Sequence, residues 1–348
     1  MKRTLINGNL KAVVLITGII LVSSHIVGAT EQNRFESFRD QLVSYEIDTT
    51  YDDGSPRFIW LDEPSTIELT IGSVAVDGLI SVASNGYVST LDFVGPHKIH
   101  TPAGRLASSG VTFHENGTLR IVHTGDPQPI ATPVGDVVFK QYVRFFENGV
   151  PEELWLVDPV TVSGAFGELV VDEVLGFHPE GTLRSLQFSD TQMVRTPDGL
   201  QEKARLVNLH ENGSVDLVQF AGPATLETAS TALEAVVAAA YSPEGTLSAA
   251  LLSMPTEFET PGGRFALRMT VFTPGGEVAG GLLMQPQSFE TPTGAFPLLA
   301  VAFRSDGSIE RAAPLEPRVI DGLEYSLRHW MYFDESGHLA DRTEMSMF

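Results

Sequence analysis

The chain has 348 residues, a formal net charge of −22 and no cysteine. It therefore has no disulfide, thiolate metal ligand or cysteine nucleophile, and its acidity excludes a typical basic nucleic-acid binder. With 43% hydrophobic and only 19% charged residues, it can bury a substantial core and is too apolar to be disordered.

The first 29 residues have the pattern of a secretory signal peptide. Three basic residues precede an apolar run from Ala12 to Val22, and the small residues Val27, Gly28 and Ala29 follow. The run is shorter than the ~20 residues that a membrane-spanning helix needs. We therefore predict cleavage after Ala29 and an exported protein without a transmembrane segment. After cleavage, the excess of acidic residues would repel nucleic acids and anionic lipid surfaces.

Residues 30–48 do not follow the pattern of the rest of the chain, and we predict that they form an N-terminal cap. The segment from Glu31 to Ser44 is a candidate short helix that covers the first strand. Four apolar side chains would share one face of this helix: Phe35, Phe38, Leu42 and Val43.

Residues 49–348 contain about ten copies of a unit of about 32 residues. Each copy has a glycine that usually follows Asn, Asp or Glu, and some copies have a proline two residues before it. These residue types predict a type I turn with the glycine at positive φ, followed by a G1 bulge. The turn glycines are Gly54, Gly86, Gly117, Gly149, Gly181, Gly213, Gly245, Gly276, Gly307 and Gly337.

Such a turn pairs the residue four before the glycine with the residue two after it, as in Phe113 and Leu119. Both positions are apolar columns in the sequence, with Pro151 as the exception. The first column contains Val82, Phe113, Phe145, Phe177, Leu209, Tyr241, Phe272, Phe303 and Phe333. Because cross-strand apolar pairs stabilise sheets, each unit is predicted to be a β-hairpin.

Two further marks recur in each unit. A second reversal is predicted at Thr-Pro-x-Gly, for example from Thr101 to Gly104. A proline also recurs, and since proline cannot donate to a ladder it marks a kink, a bulge or a strand end. These prolines are Pro64, Pro96, Pro127, Pro159, Pro223, Pro255, Pro286 and Pro317. The unit around Thr191 lacks this proline.

The predicted fold is all-β, with tandem hairpins that form an elongated, twisted, antiparallel sheet. A parallel β-solenoid with one unit per coil is the alternative. In the hairpin array Phe113 faces Leu119, whereas in a solenoid Phe113 would stack on Phe145 at about 4.8 Å.

The units resemble those of bacterial MORN-repeat-variant proteins of the YwqK type. Their order of an aromatic residue, Asn-Gly, Leu, a spaced Ile and a second glycine turn is found from Asp52 to Leu339. The resemblance implies a chain of β-hairpins in one long sheet and implies no reaction. The chain lacks the Tyr-x-Gly core of the familiar MORN unit, and its signal segment argues against a cytoplasmic antitoxin role.

The residues with a possible chemical role lie at the predicted hairpin tips. His114, His178 and His210 occupy one unit position, and with Glu180 and Glu211 they could form a metal patch. We favour the interpretation that they are solvated residues at the tips. Acidic residues recur there as Asp52, Asp53, Glu115, Glu147, Glu180, Glu211, Glu244, Asp306 and Glu335. The glycosylation sequons at Asn116 and Asn212 are explained by the turn alone.

No catalytic, cofactor-binding or metal-binding residue is assigned. The common nucleophile, zinc and nucleotide motifs are missing, and the acidic pairs Asp52–Asp53 and Glu152–Glu153 would point to opposite sides of a strand. We predict an exported, non-catalytic binding or scaffolding protein of the cell envelope or medium, with a protein or glycan as partner. Two alternatives are an envelope enzyme that acts on polysaccharide and an outer-membrane β-barrel. The frequent prolines disfavour the barrel.

Overall fold

The structure, a computed structural model, describes residues 30–228, 232–260, 263–291, 294–320, 323–325 and 329–344. The predicted signal peptide, residues 1–29, lies outside the described residues. Among the helices of the described part, none has the length and apolar character needed to cross a membrane.

The described chain divides into two compact units. Unit 1 contains the residues up to Asp158 together with Pro179–Gly181, and unit 2 contains Pro159–His178 and Thr182–Phe348. Unit 1 begins with a 3-10 helix at Thr30–Asn33, the helix α1 at Phe35–Phe38 and a second 3-10 helix at Arg39–Gln41. All other regular elements of the described residues are β-strands.

The strands of unit 1 form an antiparallel sheet. They are β1 (Tyr45–Thr50), β2 (Pro56–Leu61), β3 (Ser65–Leu69), β4 (Gly72–Val82), β5 (Val88–Thr101), β6 (Gly104–Phe113), β7 (Leu119–His123), β8 (Gln128–Thr132), β9 (Gly135–Phe145) and β10 (Pro151–Leu156). A row of fully buried residues crosses this sheet, with one residue from each of seven strands and each residue paired directly with the next. The row consists of Ile59, Ile80, Leu91, Val111, Val122, Val143 and Leu154.

The strands of unit 2 are also antiparallel. They are β11 (Val160–Gly164), β12 (Gly167–Val171), β13 (Val174–Phe177), β14 (Leu183–Arg195), β15 (Gln201–Leu209), β16 (Val215–Glu227), β17 (Ala232–Tyr241), β18 (Leu247–Thr260), β19 (Gly263–Phe272), β20 (Val278–Thr291), β21 (Gly294–Phe303), β22 (Ile309–Pro314), β23 (Arg318–Ile320), β24 (Leu323–Tyr325), β25 (His329–Phe333) and β26 (Leu339–Glu344).

A second buried row crosses unit 2 in the same way. It consists of Leu175, Leu186, Val207, Val218, Ala239, Ala250, Thr270, Gly281, Val301, Ala312 and Met331. The side chains from Ala239 to Gly281 are smaller than those before them, and Thr270 places a hydroxyl in this apolar row.

The predicted turn is confirmed at all ten glycines, whose φ angles lie between 77° and 86°. At the third turn the Gly117 N–H donates to the His114 carbonyl at 2.9 Å, and the His114 N–H donates to the Thr118 carbonyl at 2.8 Å. Phe113 pairs with Leu119 across this turn, directly after a register shift. The antiparallel, all-β fold is therefore confirmed, and the parallel solenoid is excluded for the described strands.

The recurring prolines lie either at register shifts or directly before a strand. Pro96, Pro223, Pro255 and Pro286 lie at register shifts inside long strands. The other four lie in the gaps just before β3, β8, β11 and β23. Beyond each kink the strand continues into a short hairpin, where Ile99, for example, lies buried opposite Leu106.

The second reversal is a two-residue turn in which Thr101 pairs with Gly104 and Thr132 with Gly135. The reversal at Thr196 is longer, because its closing contact joins the Thr196 N–H to the Leu200 carbonyl at 2.9 Å. The central residues of the later reversals, 261–262 and 292–293, lie outside the described residues.

The N-terminal cap has three short helical segments instead of the single predicted helix. Phe35, Phe38 and Leu42 are buried, but Val43 is 66% exposed. The backbone of Leu42 is already extended, with φ −74° and ψ 130°, so Val43 does not continue the helical face.

Asn33 fastens this cap to the repeats of unit 1. Its side chain is fully buried and donates to the Thr70 hydroxyl at 2.7 Å and to the Gly117 carbonyl at 2.8 Å. Its amide oxygen accepts the Thr70 N–H at 3.0 Å. The Asn33 side chain thus joins the cap to the reversal between β3 and β4 and to the hairpin tip at Gly117.

Candidate functional site

The hairpin tips of successive repeats lie side by side within each unit. The asparagine before the turn glycine donates its side-chain N–H to the next tip, 31 residues further along the chain. These contacts are Asn116 to a Glu147 carboxylate oxygen at 3.1 Å, Asn148 to the Pro179 carbonyl at 2.8 Å and Asn212 to the Pro243 carbonyl at 3.1 Å. The tips are therefore fixed to one another and not independent loops.

The same asparagines also stabilise their own turns. The Oδ1 atom of Asn116 accepts the Thr118 N–H at 3.0 Å and the Thr118 hydroxyl at 2.7 Å, and Asn212 makes the matching pair of bonds with Ser214. Both sequon asparagines thus use their side-chain oxygen and nitrogen within the array. This observation supports the interpretation that the turn explains these residues.

The three tip histidines are less solvated than predicted, because each bonds to the next repeat. Each is partly buried, and its Nε2 bonds to the carbonyl of the apolar column residue in the next repeat. The distances are 2.9 Å from His114 to Phe145, 2.8 Å from His178 to Leu209 and 2.9 Å from His210 to Tyr241. Among the described residues, no three His, Asp or Glu side chains come together as a metal site.

The acidic residues of the tips are exposed to solvent. We use the name acidic tip edge for the exposed tip glutamates of each unit taken by itself, which are Glu115, Glu147 and Glu180 in unit 1 and Glu211 and Glu244 in unit 2. A hydrogen bond from the Ser242 hydroxyl lowers the pKa of Glu244. Hydrogen bonds from Ser55 and Ser308 lower the pKa of Asp53 and Asp306 in the same way. These turn bonds favour the charged form of the carboxylates.

Asp53, Glu153 and Glu152 contact different side chains. Asp53 accepts two bonds from Ser55, at 2.9 Å and 2.6 Å, within its own turn. Glu153 accepts the Tyr142 hydroxyl at 3.3 Å, whereas Glu152 lies 4.0 Å from the Arg144 guanidinium.

A groove of about 820 Å³ lies on the outer face of β14, β15 and β16 in unit 2. Its floor is a row in which Gln187 pairs with Leu206 and Leu206 pairs with Gln219. The next residues along these strands, Leu186, Val207 and Val218, belong to the buried row and point to the opposite side. The groove therefore has an apolar centre between two amides.

The rim of the groove comes from an irregular segment of β14. Between the pairs Gln187–Leu206 and Gln192–Ala204, four residues of β14 lie opposite Arg205 alone. Asp172 fixes this segment, because its carboxylate accepts both the N–H, at 2.8 Å, and the hydroxyl of Ser189.

The irregular segment of β14 lies in the unit that lacks the recurring proline. Thr191 stands at this position and lines the groove with Ser189, Asp190 and Arg205. The sequence showed the exception at Thr191, but the grouping of these side chains depends on the pairing of three strands and was not predicted.

Comparisons with known proteins give no family. No family model matches the chain, and no curated protein matches it. A structure titled "Crystal Structure of TcdB2-TccC3-Cdc42" aligns over 84% of this chain at 11% identity with a TM-score of 0.13. A structure of the Photorhabdus luminescens Tc holotoxin pore aligns over 87% at 10% identity, also at 0.13. This chain spans only 15% of each of those chains, and TM-scores this low support no conclusion.

Proposed function

We propose that the protein is an exported, non-catalytic binding or scaffolding protein that presents its acidic tip edge to a positively charged partner in the cell envelope or outside the cell. The observation that carries this proposal is the set of links between tips. In unit 1, Asn116 bonds to the Glu147 carboxylate and Asn148 to the backbone of the next tip, so the tips that carry these exposed carboxylates are linked in a row. A rigid row of like charges favours a partner with a complementary row of positive charges.

Three further observations support this proposal. The tip carboxylates are solvated at the ends of hairpins, which suits the recognition of a surface better than chemistry on one bond. Export is supported by the signal-like pattern of residues 1–29, and the chain has 44 acidic against 22 basic residues.

The test is capture of partners from envelope extract by the purified protein, with poly-lysine as a defined cationic probe. Replacing the five glutamates of the acidic tip edge by glutamine should weaken both interactions. Binding of the unmodified protein should also fall as salt rises, since the Debye length is ~8 Å at physiological ionic strength.

A matched control removes the same charge elsewhere. Five exposed glutamates that lie on strands can be replaced by glutamine instead: Glu46, Glu68, Glu168, Glu257 and Glu310. Retained binding in this control and lost binding in the tip variant would support the proposal. Equal losses in both variants, or capture that is insensitive to salt, would contradict it.

A further inference from the structure

We propose that the groove on β14, β15 and β16 is a binding site for a neutral oligosaccharide. This site is separate from the acidic tip edge, because it lies on the outer face of the sheet, in the middle of the strands. The inference therefore goes beyond the proposed function and does not depend on it.

The floor of the groove suits a sugar ring. Leu206 is partly exposed, and it has a glutamine on each side in the adjacent strands. Paired residues on neighbouring antiparallel strands lie about 5 Å apart, so the Cβ atoms of the two glutamines are about 10 Å from each other. An amide offers both a donor and an acceptor, as each sugar hydroxyl does. The C–H face of a sugar can rest on Leu206 while its hydroxyls reach Gln187 and Gln219.

The rim adds charged groups of both signs and a hydroxyl. Asp190 and Glu173 bring carboxylates, Arg205 brings a guanidinium, and Thr191 brings a hydroxyl. Because Ser189 is held by Asp172, this rim is ordered before a ligand arrives. A preordered site loses less conformational entropy on binding.

The charges of the groove select against anionic ligands. Two carboxylates against one guanidinium disfavour a phosphate, a nucleic acid or an acidic glycan. A ligand with many hydroxyls and no net charge can pair with all of these groups. Since Ser189, Asp190 and Arg205 are exposed and the groove is open at the surface, a chain of sugars fits better than an enclosed monosaccharide.

The polar character is local to this part of the sheet. The same outer row continues from Gln219 through Ala238, Leu251, Met269 and Leu282. These strands offer an apolar outer face in place of amides. At the corresponding kinks, Pro223 and Pro255 supply neither the N–H nor the hydroxyl that Thr191 supplies. Sheet geometry alone thus does not explain the groove, and its chemistry comes from these particular residues.

The experiment is calorimetric titration of the purified protein with four neutral hexasaccharides, namely maltohexaose, cellohexaose, laminarihexaose and chitohexaose. Hexagalacturonate serves as an anionic probe of the same length. We expect at least one neutral probe to bind, and the double variant Gln187→Ala, Gln219→Ala to weaken that binding by about tenfold or more, as the loss of two hydrogen bonds predicts.

Two matched pairs test the position of the site. Arg205→Gln should weaken binding, whereas Arg268→Gln, at the same unit position in β19, should not. Thr191→Pro should weaken binding, whereas Pro223→Thr should not. Circular dichroism of each variant checks that the fold is retained.

The remaining outcomes decide against the proposal. Failure of all four neutral probes to bind, stronger binding of hexagalacturonate, or equal affinity in the double variant would each overturn it. The glutamine variant of the acidic tip edge should bind the neutral probe with unchanged affinity. This result separates the groove from the function proposed for the tips.

Discussion

The imidazole Nε2 of His178 lies 2.8 Å from the carbonyl oxygen of Leu209, which is 31 residues further along the chain. Leu209 is the last residue of β15 and pairs with Val215 across the next turn. One side chain therefore joins the tip of one hairpin to the end of the next hairpin. The corresponding contact from His210 to Tyr241, at 2.9 Å, makes this a repeated structural link.

Replacing His178 by alanine should lower the free energy of unfolding by about 1 kcal/mol, the usual net value of a hydrogen bond to a partly buried group. Urea unfolding measures this loss. Glu211→Ala, which removes an exposed tip carboxylate without such a bond, should change the stability much less. Equal midpoints for the two variants would show that the histidine contact does not hold the repeats together.

Much of the fold could be predicted because its determinants are local. The turn glycines require positive φ, and the column residues on either side of the turn pair through the turn geometry itself. The partner of His178 could not be predicted in this way, because it depends on how one hairpin aligns with the next. The groove shows the same limit: the exception at Thr191 is visible in the sequence, but Gln187, Leu206 and Gln219 meet only through sheet pairing.

The turn glycines are expected to differ in their tolerance of alanine. Gly149 and Gly213 both have positive φ, at 84° and 80°, so alanine is strained at both positions. A Cβ at Gly149 would also lie 2.7 Å from Pro102 Cβ, whereas nothing lies within 4 Å at Gly213. Gly149→Ala should therefore cost about 1 kcal/mol more than Gly213→Ala in urea unfolding, as overpacking typically does.

A double-mutant cycle identifies the contact responsible. Pro102→Gly removes the ring that meets the new Cβ, so it should recover the extra loss of Gly149→Ala and none of the loss of Gly213→Ala. If Pro102→Gly changed both alanine variants equally, the close approach between the tip and the second reversal would not explain the difference.

Thr270 should be replaceable by valine with a gain in stability. Its side chain is fully buried in the apolar row of unit 2, and its hydroxyl has no hydrogen-bond partner among the residues that the structure describes. A buried hydroxyl without a partner is unfavourable, and valine has nearly the same shape. We expect Thr270→Val to raise the free energy of unfolding by about 1 kcal/mol.

The matched control for Thr270 is another threonine whose hydroxyl is used. Thr118 donates to Asn116 Oδ1 at 2.7 Å, so Thr118→Val should lower stability. A loss of stability in Thr270→Val as well would show that its hydroxyl has a partner in solution, such as a buried water molecule.

Tyr241, the tyrosine of the first apolar column, should make the stability of the fold sensitive to alkaline pH. Its side chain is 1% exposed, and its hydroxyl lies 3.4 Å from Asp198 Oδ1. Burial, and then the Asp198 charge, raise the pKa of Tyr241 well above its ordinary value of 10.0. The fold therefore favours the neutral phenol. This contribution is fully present below the unfolded-state pKa and is lost as the pH rises through the range between the unfolded and folded values.

The free energy of unfolding should therefore decrease above about pH 10 more steeply in the unmodified protein than in Tyr241→Phe, which has no proton to lose. Urea titrations from neutral pH upward measure the two slopes. Tyr45→Phe, at an exposed position of β1, is the control and should keep the slope of the unmodified protein. Parallel slopes for the unmodified protein and Tyr241→Phe would mean that the Tyr241 phenol ionises as readily in the folded chain as in the unfolded one.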